Sequence, residues 1–191
     1  MSSTQTKSIL RSFIVIPMIA SSLSLNAFTA SVDQFVSLQS ADIQVSSQER
    51  LLQKEREEKA AKIDAYLEKR NMPLAGNGMK MVLEAEKNGL TWTMIPAIAV
   101  RESTGGRFAC KKYPENAWGW HSCKAGLGGS TESAIELMAL HLSGNHPKTA
   151  RYYGNKETNK AILQTYNPPS VVEKYADQVI VIMDQIEGIT I

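Results

Sequence analysis

Helix-stopping segments recur from residue 72 onward. They are Met72-Pro-Leu-Ala-Gly-Asn-Gly78, Asn88-Gly89, Thr104-Gly105-Gly106, Gly144-Asn-His-Pro147 and Tyr166-Asn-Pro-Pro169. Between these stops, apolar residues return every three or four positions, the period of a helix face. Met79, Val82, Leu83 and Glu86 make one such set, and Ala134, Ile135, Met138 and Leu142 another, the latter capped by Ser130 or Thr131. Glu157 to Thr165 reads as helical. So does Val171 to Ile186, with Val172, Tyr175, Val179, Ile182, Met183 and Ile186 on its apolar side. A chain punctuated in this way builds from short packed helices. Strand signals are absent apart from room for one short β-hairpin between Phe108 and Cys123, so the expected fold class is mainly α.

The segment Ile95-Pro-Ala-Ile-Ala-Val-Arg-Glu-Ser103 carries the chemistry. Ile95, Ile98, Ala99 and Glu102 share one helical face, apolar until its last member. Pro96 fits only near a helix start, which places the cap at Thr91 or Thr93 and Glu102 in the last turn, facing the core. A helix C-terminus and burial both disfavour a charged carboxylate, which suits a general acid working near neutral pH. An isolated glutamate in such a place is otherwise a structural partner of a Lys or Arg. Downstream comes Asn116-Ala-Trp-Gly-Trp120 on a loop. Aromatic faces beside a polar group suit the apolar C–H faces of sugars, although Trp118 and Trp120 equally suit loop packing.

Ala97-Ile-Ala-Val-Arg-Glu-Ser103, Asn116-Ala-Trp-Gly-Trp120 and Tyr166-Asn-Pro-Pro169, taken in that order, resemble the lysozyme-like superfamily. The nearest similarity is to bacterial endo-β-N-acetylglucosaminidases of the peptidoglycan hydrolase type, with soluble lytic transglycosylases next. The resemblance spans Ile63 to Ile186 and implies a lysozyme-like helical domain over residues 63–191. It implies Glu102 and Tyr166 as the catalytic residues, Glu102 as the acid and Tyr166 as a tyrosine lining the same cleft. Ser103, Asn116, Trp118, Gly119 and Trp120 become the expected substrate-binding residues. The implied partner is the peptidoglycan glycan strand, met by a monomer without cofactor or metal.

The chain departs from the glucosaminidase pattern after Glu102. Arg107 to Glu115 is short, and Glu115 is its one acid and the sole candidate for a second carboxylate. Stabilising the anomeric centre would fall to the substrate's N-acetyl group, to water held by Tyr166 or Asn116, or to Glu115. The loop lacks the Gly-Leu-Met-Gln run of transglycosylases, which implies hydrolysis on the N-acetylglucosamine side. A transglycosylase giving anhydro-muramic ends needs a single enzyme carboxyl and is the alternative. A glycan-binding or scaffold domain without activity is a third reading.

The formal net charge is +2, and no basic block or stripe of the kind nucleic-acid binding requires is present. Residues 1–30 begin with Lys7 and Arg11, continue through Phe13 to Ala20 and end in small residues. This is the pattern of a signal peptide or, uncleaved, a membrane anchor, and it places the domain outside the cytoplasmic membrane. Membrane contact is expected through this segment alone. Residues 31–62 read as a polar linker, unstructured over 28–45, followed by a charged helix over 46–70 whose leucines are too sparse for sustained heptads. A coiled-coil envelope tether is the other reading of that helix. Cys110 and Cys123 are the only cysteines, an even count that suggests a disulfide in an exported chain, with two buried thiols as the alternative. His121 beside them gives no zinc-ligand spacing. His141 and His146 read as surface or core-edge residues.

Overall fold

The computed structural model describes residues 25–191, with side chains at Gln44 and from Ser47 onward. The helices are α1 Leu25–Glu68, α2 Gly78–Lys87, α3 Met94–Ser103, α4 Thr131–Ser143, α5 Ala150–Tyr153, α6 Asn159–Tyr166 and α7 Tyr175–Glu187, with a 3-10 turn at Trp120–Cys123. No strand occurs among the described residues. The chain divides into two units, Met1–Ser46 and Ser47–Ile191, and the core described below belongs to the second.

The stretch 28–45, expected to be unstructured, lies inside α1. Its polar composition lacks a core-forming face, but no Gly or Pro interrupts Leu25 to Glu68, so nothing in the backbone stops the helix. The helix joins the core where the sequence suggested: Ala60, Ile63, Tyr66 and Leu67 are its buried residues. The expected targeting segment lies outside the described residues as far as residue 24. No helix among the described residues is long and apolar enough to cross a membrane.

Helix α3 is the centre of the core. Met94, Ile95, Ala97, Ile98 and Ala99 are all fully buried, walled by α7, α2 and α4. On α2 the buried face is Met81, Val82 and Ala85, and Leu83 turns out to solvent. Helix α4 has the expected face, and Ser130 caps it by accepting from the Ser133 amide at 3.2 Å. Thr158 caps α6 in the same way through the Ala161 amide. Helix α7 begins later than its apolar pattern. The Pro168 carbonyl accepts from the amides of Val171 and Val172 and folds that segment into a turn, so the helix proper starts at Tyr175.

The hairpin between Phe108 and Cys123 does not form. One antiparallel bridge joins Cys110 and Tyr113, and nothing extends it. Gly119, His121, Ser122 and Cys123 all have φ between +53° and +63°, a left-handed backbone that cannot pair as a strand.

Candidate functional site

Glu102 sits in the last turn of α3, as expected, but its side chain is exposed rather than core-facing. Thr104 adopts φ 54° and Gly105 φ 61°, which ends the helix at Ser103 and leaves Glu102 at an open edge. It lines a cleft of about 640 Å³ together with Gly119, Trp120, Tyr152, Tyr166, Asn167, Val171 and others, a volume typical of a small-ligand site. Among the residues lining it, Glu102 is the sole acid.

One hydrogen bond sets the carboxylate. The Tyr175 hydroxyl donates to Glu102 Oε1 at 2.5 Å, and that tyrosine is buried at the start of α7. Burial first, then the neighbouring Tyr166 and Glu102, push the Tyr175 phenol far above its ordinary range, so it remains a donor. Arg101 lies over the Tyr175 ring at 5.7 Å and donates through Nε to Gln178 at 2.8 Å. Oε2 of Glu102 has no hydrogen-bond partner among the described residues. It faces Gly119, whose φ is +63° and where a Cβ would stand 3.3 Å from that oxygen. The absence of a side chain at Gly119 therefore keeps the free oxygen accessible.

The loop after α3 is cross-linked. Cys110 and Cys123 form a disulfide with Cα atoms 5.4 Å apart, closing a ring that contains Asn116 to Trp120. A disulfide is compatible with an extracytoplasmic location. Within the ring, Asn116 is fully buried and its amide is spent internally. Nδ2 donates to the carbonyls of Trp120 and Ala125, and Oδ1 accepts from the Trp120 amide. Trp118 is also fully buried, with Nε1 donating to the Ile95 carbonyl at 2.9 Å. Ser103 Oγ donates to the Ala117 carbonyl at 2.6 Å and accepts from the Gly106 amide. Ser103, Asn116 and Trp118 thus do not line the cleft; they hold its wall in place. Glu115 is outside it as well, with Oε1 accepting from the Leu127 amide at 3.2 Å.

Of the residues expected to touch a ligand, Glu102, Gly119, Trp120 and Tyr166 are brought together. Tyr166 closes α6, stacks on Tyr175 and donates its hydroxyl to the Trp118 carbonyl. Burial, followed by Glu102 and Tyr153, raises its phenol well above the ordinary value. With its proton committed to a carbonyl, Tyr166 is a wall of the site. Trp120 Nε1 and Asn167 Oδ1, on residues of the cleft wall, are buried without a hydrogen-bond partner among the described residues.

Sequence reading missed Tyr175, which looked like one more apolar member of α7, and it missed the histidine group. Trp120 stacks on His141 at 4.8 Å, and His146 lies 4.1 Å from His141. His141 is buried, with Nδ1 3.3 Å from Thr149 Oγ1. Burial, then the charges of His146, His121 and Lys148, depress its pKa to about 4. The aromatic run that surrounds the site offered no spacing signal, because its members come from α4, α6, α7 and the loop. No group of His, Cys, Asp or Glu among the described residues could hold a metal ion. No protein family, no curated protein and no solved structure matches this chain.

Proposed function

We propose that the chain is an exported enzyme that cleaves β-1,4 glycosidic bonds of peptidoglycan, with Glu102 as the acid. The observation that supports this most is the asymmetry of the Glu102 carboxyl. One oxygen is held by Tyr175, and the other is left open to the cleft by Gly119. Around it stand the aromatic rings of Trp120, Tyr152 and Tyr166, which line the same cleft and offer faces for sugar C–H groups.

The reaction begins with proton transfer from the Glu102 carboxyl to the glycosidic oxygen as the C1–O bond breaks. No second acid lines the cleft, and Glu115 is held by the Leu127 amide. The substrate's own acetamido oxygen then closes on C1. Water reopens that ring, passing a proton to the Glu102 carboxylate and leaving a free reducing N-acetylglucosamine end. The single carboxylate also favours a second reading. In that one the muramic 6-hydroxyl attacks C1, gives its proton to Glu102 and leaves an anhydro end. Mass spectrometry of digested muropeptides separates the two: anhydro products as the main species select the second reading. Glu102→Gln removes the donor in either route and should cut wall lysis by at least about 10²-fold with folding unchanged, measured by turbidity of purified peptidoglycan.

A further inference from the structure

We propose that α5 and its flanks form a second binding station at the edge of the cleft, which takes a glycan through a carboxylate-bearing substituent. The inference deepens the glycan-cleaving reading and rests on it. Tyr152 of α5 lines the same cleft as Glu102, yet it is 48 % exposed, unlike its buried neighbour Tyr153. The Arg151 guanidinium stands 4.5 Å from the Tyr152 ring centre. Lys148 precedes the helix and Lys156 follows it, and no acid occurs between Glu136 and Glu157. Several cations elsewhere are neutralised by acids: Arg56 pairs with Glu86, Lys80 with Glu84, Lys87 with Glu136 and Lys160 with Asp177. Lys148, Arg151 and Lys156 have no such partner among the described residues.

An exposed aromatic ring beside a guanidinium joins two recognition chemistries. The ring offers a face for a sugar's C–H groups, and the fork of Arg151 offers paired donors for a carboxylate. Glu102 is the sole acid of the cleft, so little opposes an anionic ligand along its rim. A peptide-substituted cell-wall glycan has both features: sugar faces along the strand and carboxylates on the stem. A neutral chitin-type glycan has only the first.

The experiment uses the full chain carrying Glu102→Gln, so that ligands are bound without turnover. Calorimetry compares a soluble wall tetrasaccharide bearing its peptide stems with the neutral N-acetylglucosamine tetramer. The stemmed glycan should bind about tenfold more tightly, the effect of one hydrogen bond to a charged group. Adding Arg151→Ala or Lys148→Ala should remove that advantage and leave the neutral tetramer within about twofold. Arg151→Lys should restore part of it, and the advantage should shrink with salt. Adding Tyr152→Ala should weaken both ligands. If Arg151→Ala leaves the stemmed glycan unaltered, or weakens both ligands equally, the station is overturned while the cleft reading stands. If neither glycan binds, the cleft reading falls and the station with it.

Discussion

Asn116, Ala117 and Trp118 turn into the protein, whereas Gly119 and Trp120, the next residues of the same loop, face the cleft. The first set has every side-chain polar group paired inside the fold. The second puts an aromatic ring in the cleft lining and a glycine that makes room beside Glu102. Adjacent residues in one motif therefore do different things: one half fixes where the loop lies, and the other lines the cleft. Substitutions in the first half should be read in stability, those in the second in activity.

The largest effect tests the holding half. Trp118→Ala removes a fully buried ring and its bond to Ile95, and it should cost about 3–5 kcal/mol of stability by denaturant unfolding. A loss below about 1 kcal/mol would show that the ring does not anchor the loop. Next is the cross-link. Replacing Cys110 and Cys123 together by serine should cost roughly 3 kcal/mol for a loop of this size in the loop-entropy account. Two free thiols by mass spectrometry of the purified protein would remove the basis for that expectation.

Tyr175→Phe probes the boundary between the two roles, because this tyrosine is buried yet bonds the cleft carboxyl. Losing a hydrogen bond to a charged group, worth about 1.5–3 kcal/mol, should lower kcat by about 10- to 100-fold with a smaller change in Tm. Equal losses in both would make Tyr175 a packing residue.

The smallest effect concerns pH. His141 has a folded-state pKa of about 4, below its ordinary value of 6.5, because it is buried beneath Trp120. The unfolded chain therefore binds the proton more readily. This contribution to stability is fully present above about pH 6.5 and is lost as pH falls toward 4. Thermal unfolding at pH 7 and 4.5 should show a drop in Tm that His141→Asn reduces. An unchanged drop would place the acid sensitivity elsewhere.

Much of the frame was legible in the sequence because it is local. The Thr104-Gly105-Gly106 stop, the Ser130 cap and the apolar face of α4 are each set within a few residues. The mainly α class followed from such stops. The departures have long-range or conformational causes. Tyr175 gains its role from Glu102, 73 residues away, and no periodicity encodes that pairing. The hairpin failed because left-handed φ values at His121, Ser122 and Cys123, which are not glycines, were invisible to propensity. Glu102 shared a face with Ile95 and Ile98, but the helix ended one residue later and left it at an open edge. Asn116, Ser103 and Trp118 were expected to bind substrate, but they are buried behind the cleft wall and bonded within the fold, a placement that only burial and bonding reveal.

Glu102, with its free oxygen turned to the cleft, is proposed as the acid of a wall-cleaving enzyme. Purified peptidoglycan incubated with the wild-type chain and with Glu102→Gln, followed by mass spectrometry of the released muropeptides, tests this directly. The account predicts new glycan ends, reducing or anhydro, from the wild type and less than about one per cent of that yield from the variant. Equal yields from both proteins, or no cleavage by the wild type, would contradict it.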